Sequence, residues 1–174
     1  MADDKCEITF KQWLEEHQGL IFKVVRAYAG TPEDQDDLFQ EILLQLWSSI
    51  PNFQGKAKVS TWIYRVALNT ALVWKRAVKK RRQHRRSVID ISEVPDIKGV
   101  HSGSVEDRQI VDQLYGVIRE LPKIDGSIVL MYLDGFSYDE MADVLGISKS
   151  NVGVKLNRAK KQLAQLLKGL VDDF

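Results

Sequence analysis

The chain has 174 residues, of which 44% are hydrophobic and 28% charged, proportions typical of a globular protein and not of a disordered one. This length suits one ordinary domain or two small ones. No apolar run is long enough to span a membrane, and the start of the chain, MADDKCEITF, is acidic where a signal peptide is basic, so we expect a cytoplasmic protein. Cys6 is the only cysteine, which excludes an internal disulfide. His17, His84 and His101 lack metal-ligand spacing, and we therefore expect neither a metal site nor a cofactor.

The net charge of +1 conceals a strong segregation of charge along the chain. Residues 1–52 carry a net charge of −6, and residues 53–86 carry +11 without a single carboxylate. Residues 87–136 carry −5, and residues 137–174 carry +1. A solvated helix face usually mixes the two signs, so this pattern favours a polyanionic partner for the basic block and a basic partner for an acidic one.

Apolar residues recur at helical spacing along most of the chain, and no segment alternates as a strand would. Prolines at positions 32 and 51 bracket the second of these helical segments, and Pro122 begins another. The sequence therefore predicts an all-α protein. The clearest helical stripes run from Phe10 to Tyr28, from Leu38 to Trp47, from Ile63 to Thr70 and from Val105 to Ile118.

The second helical segment, TPEDQDDLFQEILLQLW, opens with a cluster of carboxylates. Glu33, Asp34, Asp36 and Asp37 are expected on its first turn, where the helix dipole favours negative charge, and Glu41 continues one face. The cluster is interpreted as helix capping or as a docking face for a basic partner. A metal-dependent nuclease using Glu33, Asp36 and Asp37 is a further alternative, although no histidine or second carboxylate cluster accompanies these residues.

The basic block, NFQGKAKVSTWIYRVALNTALVWKRAVKKRRQHRR, joins a glycine-containing loop to a helix that ends in cations. Cations attract phosphates, and interleaved aromatic rings hold single strands by base stacking. The rings also suit a hydrophobic core, and both interpretations of them stay open. The cations are Lys75, Arg76, Lys79, Lys80, Arg81, Arg82, Arg85 and Arg86, and the rings are Phe53, Trp62, Tyr64 and Trp74.

A segment without a helical stripe, SVIDISEVPDIKGVHSGSVED, spans residues 87–107 and contains one proline, two glycines and four serines. Structureless connections of this length are usually linkers or functional segments. The sequence therefore predicts two small helical domains, residues 1–86 and 108–174, joined by a flexible linker.

The stretch FSYDEMADVLGISKSNVGVKLNRAKKQL predicts two helices joined by a short turn. Ser137 and Ser148 are candidate N-caps, and Gly146 suits the left-handed conformation that ends a helix. The first helix is expected to face inward with Met141, Ala142 and Leu145. The second is expected to bury Val152, Leu156, Ala159 and Leu163. An ordinary helical hairpin is the alternative to a DNA-binding helix-turn-helix, but the outward amides, hydroxyls and cations favour contact with base edges and phosphates.

The order of these features resembles bacterial RNA polymerase sigma factors of the extracytoplasmic-function (ECF) group, over residues 10–86 and 108–168. DDLFQEILLQLW is similar to the region 2 helix that docks on the clamp helices of core RNA polymerase. FQGKAKVSTWIYRVALNTA is similar to the segment that recognises and melts the −10 element. The stretch from LPKIDGS to RAKKQL is similar to region 4, which reads the −35 element and contacts the polymerase flap. The sequence departs from the family at Gly126, Ser127, Gly153 and Val154, where longer polar residues are frequent.

The resemblance implies three groups of site residues. The docking group is Asp36, Asp37, Leu38, Gln40, Glu41, Leu44, Gln45 and Trp47. The −10 and melting group is Asn52, Phe53, Gln54, Gly55, Lys56, Lys58, Trp62, Tyr64, Arg65, Asn69, Lys75, Arg76, Lys79, Lys80, Arg81 and Arg82. The −35 group is Lys149, Ser150, Asn151, Val154, Lys155, Asn157 and Arg158.

The resulting expectation is a transcription initiation factor without a catalytic site, whose partners are core RNA polymerase and promoter DNA, with no membrane association. The resemblance adds an anti-sigma or other regulatory protein to these partners. The loop of residues 52–58 is expected to capture an unpaired base of the −10 element. An autonomous helix-turn-helix regulator is the alternative, and it predicts tight, specific binding to duplex DNA without polymerase.

Overall fold

The computed structural model describes residues 2–84 and 105–172, with side chains described for residues 5–81 and 109–168. All secondary structure in these ranges is helical, which confirms the predicted all-α fold. The chain divides into two compact units, Met1–Ile97 and Lys98–Phe174. Among the described helices, none combines the length and apolar character that spanning a bilayer requires.

In its described residues, the N-terminal unit contains three α-helices, α1 (Ala2–Tyr28), α2 (Pro32–Ser49) and α3 (Val59–His84), with a short 3-10 helix (Ile50–Asn52) between the last two. Helix α2 begins at Pro32 because the Thr31 hydroxyl accepts a hydrogen bond from the Asp34 amide, at 3.2 Å. Of the predicted acidic first turn, Glu33 and Asp34 lie there, whereas Asp36 and Asp37 belong to the next turn.

The three helices of this unit pack against one another pairwise around one core. Each contributes apolar side chains spaced three or four positions apart, the period that places residues on one face of a helix. Helix α3 contacts both α1 and α2, so its buried arc is wider than the predicted stripe. The buried side chains include Ile21, Val24, Val25, Leu38, Ile42, Leu46, Ile63, Tyr64, Ala67 and Leu68.

Over the described range 105–172, the C-terminal unit contains four helices, α4 (Val105–Glu120), α5 (Lys123–Leu133), α6 (Tyr138–Leu145) and α7 (Lys149–Asp172). Helix α5 packs against the other three and buries every residue from position 125 to position 131. At Gly126 an added Cβ would lie 3.3 Å from the carbonyl oxygen of Ile118. Glycine therefore permits the close approach of α4 and α5, which gives a physical reason for this departure from the family pattern.

The turn between α6 and α7 has the predicted geometry. Ser137 and Glu140 form a capping box with hydrogen bonds of 2.8 and 3.2 Å at the start of α6. Gly146 ends that helix at φ 65°, and the Ser148 hydroxyl accepts a hydrogen bond from the Asn151 amide at 3.2 Å. The chain therefore stops one helix and starts the next within three residues.

The inward faces of this helix pair agree with the sequence prediction for α7 and differ in part for α6. All four predicted side chains of α7, from Val152 to Leu163, are buried. In α6 the buried side chains are Met141 and Val144, whereas Ala142 and Leu145 are half-buried. The prediction is thus confirmed for Met141, and it missed Val144.

Candidate polymerase and nucleic-acid interfaces

Helix α2 has one buried face and one exposed face. Leu38, Ile42 and Leu46 form its buried stripe. The prediction that Leu38 belongs to the docking group is therefore wrong, because this side chain is 0% exposed and packs in the core of its own unit. The other docking residues are exposed or half-buried, and Leu44 stands out as a leucine that is 62% exposed.

Two contacts organise the exposed face of α2. The ring of Trp47 lies edge-on to Phe10 of α1, with centroids 5.3 Å apart, so α1 fixes the position of an indole that is 39% exposed. The Gln45 side-chain amide donates a hydrogen bond to Glu41 at 3.1 Å. The face thus offers apolar groups beside carboxylates and amides, a composition suited to binding a protein.

The loop between the 3-10 helix and α3 is held at its ends by aromatic contacts. Phe53 packs against Trp13 of α1 and Trp62 of α3, with centroid distances of 5.2 and 5.5 Å. The indole N–H of Trp62 donates a hydrogen bond to the hydroxyl of Ser49, at 3.1 Å. Between these anchors Gly55 adopts φ 68°. The tip of the loop, Gln54–Lys56, is exposed.

The structure corrects the predicted role of Tyr64 and gives Trp62 a structural role in addition to its predicted one. Tyr64 is 0% exposed, so its ring cannot stack on a base and instead fills the core. Trp62 is half-buried, and its N–H is already used by Ser49, so the residue also anchors the loop. Trp13 was not predicted as part of this site, because nothing in its local sequence relates it to a loop 40 positions further along the chain.

Helix α3 presents the basic block to solvent. Asn69, Arg76 and Lys79 are exposed, as are Lys80 and Arg81. Arg65 and Lys75 are half-buried, and the Lys75 ammonium lies 5.6 Å from the centroid of the Tyr28 ring. The side chains of Arg82, Arg85 and Arg86, which the sequence analysis also assigned to phosphate contact, lie outside the described residues.

Helix α7 turns a polar face away from its buried stripe. Ser150, Asn151 and Asn157 are exposed, and Val154 is 69% exposed. Lys149 is paired with Asp139 of α6 at 2.8 Å, in an ion pair whose side chains are 61% and 69% exposed. This face carries the types of side chain that bind base edges in a major groove.

The remaining two cations of the −35 group are held by a carboxylate that the sequence analysis did not identify. Asp125 of α5 is 0% exposed. Its Oδ2 accepts hydrogen bonds from Nε and Nη2 of Arg158, at 3.1 and 2.7 Å, and its Oδ1 lies 3.6 Å from the Lys155 ammonium. The assignment of Lys155 and Arg158 to the −35 group therefore omitted a structural role for both.

Gly153, another departure from the family pattern, faces the ring of Tyr138 in α6. A Cβ at this position would lie 3.5 Å from the Tyr138 ring, an ordinary van der Waals distance.

Within the described part of the chain, no group of three or more His, Cys, Asp and Glu side chains is arranged to hold a metal ion.

Comparison with known protein families gives two matches, one in each compact unit. The model of sigma-70 region 2 matches residues 13–83, and that of sigma-70 region 4 matches residues 112–163. This chain belongs to the sigma-70 family, in its ECF group. The sigma factor is thus a transcription initiation factor, and its two compact units correspond to the two matched regions.

Similar proteins cover nearly the whole sigma factor. It is 25% identical to the ECF RNA polymerase sigma-E factor of Haemophilus influenzae over 170 residues, which is 93% of this chain and 89% of that protein. It is 28% identical to the sigma-E factor of Escherichia coli over 167 residues, which is 89% of this chain and 84% of that protein.

Two solved structures share the fold of the sigma factor. The sigma factor RpoE of Bartonella quintana, solved with the anti-sigma factor NepR, superposes with a TM-score of 0.67 at 19% identity, covering 92% of this chain and 97% of that one. CnrH, solved with the cytosolic domain of CnrY, gives the same TM-score of 0.67 and identity of 19%, covering 94% of this chain and 90% of that one.

Proposed function

We propose that this sigma factor binds core RNA polymerase and directs it to promoters by reading −10 and −35 elements and assisting DNA melting. The observation that carries the proposal is the presence of both sigma-70 regions on one chain, each with an exposed face of suitable chemistry. A docking face lies on α2, a basic face on α3 and a polar face on α7.

Docking is assigned to the exposed face of α2. Leu44 and Trp47 supply apolar contact area, and Asp36 and Asp37 supply negative charge beside it. Apolar and aromatic anchors usually provide most of the affinity of a protein interface, while charges guide the encounter and set specificity. The clamp helices of the polymerase are the proposed partner of this face, and the polymerase flap is the proposed partner of region 4.

Capture of the −10 element is assigned to the loop of residues 52–58. The Phe53 contacts fix the ends of this loop, so the loop is already partly ordered before a nucleotide base binds to it. The exposed tip carries an amide at Gln54 and an ammonium at Lys56, which can bind a base edge and a phosphate. Flipping a base out of the stack costs a few kcal/mol, and the basic face of α3 offsets part of this cost by binding the separated strand.

Reading of the −35 element is assigned to α7. Asn157 can form two hydrogen bonds with adenine, Arg158 can form them with guanine, and Val154 can contact a thymine methyl group. Lys149 and Lys155 are assigned to phosphate, which positions the helix without specifying sequence.

Regulation by an anti-sigma protein is suggested by one of the similar solved structures, in which the sigma factor RpoE is bound to the anti-sigma factor NepR. The cytoplasm is the proposed location, since the proposed activity requires core polymerase and promoter DNA.

The test of the proposed function is transcription by reconstituted holoenzyme. The purified chain is added to core RNA polymerase with a library of genomic fragments, and the transcripts are mapped to their start sites. The proposal predicts start sites that share −10 and −35 sequences and that are absent with core polymerase alone. A library transcribed identically with and without the chain would reject the proposal.

A further inference from the structure

Asp125 is a buried carboxylate in the first turn of α5, and its two cationic partners both belong to the proposed recognition helix α7. A carboxylate removed from water is strongly destabilising unless it is paired and hydrogen-bonded. Arg158, 33 positions along the chain, supplies two hydrogen bonds, and Lys155 supplies a second positive charge. This cluster therefore joins the central helix of the unit to the helix proposed to enter DNA.

The geometry of the cluster fixes the guanidinium group of Arg158 in direction as well as in place. Helix α5 is buried over seven consecutive positions, so the carboxylate is attached to a backbone segment that is enclosed by its neighbours. Two N–H groups on one edge of the guanidinium converge on a single oxygen, Oδ2. The head of a long side chain that would otherwise sample many rotamers is thus held in one orientation.

The Arg158 side chain nevertheless remains 56% exposed. Nε and Nη2 are directed at Asp125, which leaves the Nη1 edge of the planar group for a second acceptor. A guanidinium can therefore bind the buried carboxylate on one side and a base edge or phosphate on the other. Lys155, three positions earlier on the same helix, is drawn toward the same carboxylate and has a side chain that is only 22% exposed.

We propose that Asp125 is a positioning residue that sets −35 specificity by orienting Arg158, although it contacts no DNA itself. This inference rests on the proposed function of α7. Pre-orientation favours the one base that the fixed guanidinium can reach, and an unrestrained side chain discriminates less because it adapts to several acceptors.

The surface pair Lys149–Asp139 provides a matched control. It also joins a cation of α7 to a carboxylate on a preceding helix, at 2.8 Å, but both side chains are mostly exposed. Exposed pairs contribute little and leave the side chains mobile. Loss of the Asp139 carboxylate is therefore not expected to change the base preference of α7.

The experiment compares wild type with Asp125→Asn, Arg158→Gln, the double variant of these two, and Asp139→Asn. Each full-length chain is assembled with core polymerase. The resulting holoenzyme then transcribes a library of promoters whose upstream base pairs are randomised. Asp125→Asn should reduce discrimination about 5-fold or more at the base pairs that Arg158→Gln also affects, because a good bidentate contact is worth roughly a 5- to 150-fold preference. In the Arg158→Gln background the Asp125→Asn change should add no further loss of discrimination, and Asp139→Asn should retain the wild-type profile.

Three results would overturn the inference. If Asp125→Asn retained the wild-type profile while wild-type holoenzyme selected promoters, the positioning role would be wrong and the proposed function would stand. An equal effect of Asp139→Asn would show that any loss of charge near α7 acts in the same way. Failure of the wild-type chain to direct initiation would reject the proposed function and this inference together.

A second measurement does not depend on the folding of the Asp125 variants. In the wild-type chain, the Nε–H of Arg158 should give a slowly exchanging NMR resonance, assigned by its loss in Arg158→Gln and unchanged in Asp139→Asn. A wild-type resonance that exchanges as fast as those of exposed arginines would contradict the proposed orientation.

Discussion

Two glycines of the helix-turn-helix lie seven positions apart and have opposite structural requirements. Gly146 has φ 65°, a conformation that is strained for other residues, whereas Gly153 has an ordinary helical backbone within α7. The first glycine is required by the turn between the helices. The second weakens a helix, and it does so in the segment proposed to contact DNA.

The Gly153→Ala change should therefore stabilise the C-terminal unit by about 0.5–1 kcal/mol, the usual difference in helix propensity. The added methyl group would meet the Tyr138 ring at an ordinary van der Waals distance of 3.5 Å. Gly146→Ala should destabilise the same unit by about 1 kcal/mol. Urea unfolding followed by circular dichroism measures both changes. Destabilisation by Gly153→Ala would mean that the Tyr138 contact is tighter than the distance indicates.

The Asp125–Arg158 pair changes how an Arg158 variant should be interpreted. Removing one partner of a fully buried ion pair costs about 3–5 kcal/mol. Because Arg158 is 56% exposed and Lys155 remains 3.6 Å from the carboxylate, we expect Arg158→Gln to cost about 1–3 kcal/mol of unfolding free energy. Part of any loss of promoter recognition in the Arg158→Gln variant would then result from lower stability of the C-terminal unit and not from a lost base contact.

The coupling within this pair is measurable by a double-mutant cycle. Asp125→Asn combined with Arg158→Gln should cost at least about 0.5 kcal/mol less than the sum of the two single changes, because the double variant has neither a buried carboxylate without its arginine nor an arginine without its carboxylate. Amide hydrogen exchange in α5 and α7 reports on this unit. All four tryptophans lie in the N-terminal unit, so their fluorescence provides an internal control that should not change. Additive single changes would show that the two side chains do not interact.

The exposed face of α2 can be tested by reversing its charge. Asp36→Lys with Asp37→Lys should weaken core polymerase binding roughly 5- to 30-fold, because two carboxylates facing a basic partner would become repulsive cations. Both side chains are exposed, so the helical content should not change. Binding of the labelled chain to core polymerase measures the effect.

The matched control for this reversal is Glu15→Lys with Glu16→Lys, two adjacent exposed carboxylates on α1. The control should retain wild-type affinity for core polymerase. An equal loss of affinity in both variants would mean that overall negative charge, and not the α2 face, determines binding.

The helices and caps were predictable because each signal lies within a few residues of its effect. Ser137, Gly146 and Ser148 each act on the adjacent turn of backbone. The role of Asp125 was not predictable, because its partner lies 33 positions away and only the packing of α5 on α7 brings the two together. Tyr64 was misassigned because α3 packs on two helices at once, which buries a position beside the apolar stripe.

At the scale of the whole molecule, the segregation of charge is compatible with a factor that binds DNA weakly until polymerase holds it. The carboxylate-free block of +11 attracts phosphates without regard to sequence, and the acidic blocks on either side of it repel them. The isolated chain should therefore bind promoter and non-promoter duplexes with similar affinity and with a strong dependence on salt. Replacing Lys79 and Lys80 with Gln should flatten the log–log salt slope by about 1.4–1.8.

The control for this prediction replaces two lysines of the acidic block, Lys5 and Lys11, with Gln. Both are exposed, and Lys11 is already paired with Glu7 at 2.6 Å, so this double variant should leave the salt slope unchanged. Fluorescence anisotropy of labelled duplexes over a salt titration measures all three chains. A slope that is equal for the two double variants would mean that α3 does not bind phosphates. Tight binding of the isolated wild-type chain to one duplex sequence would instead favour an autonomous helix-turn-helix regulator, because such a protein needs no polymerase to select its site.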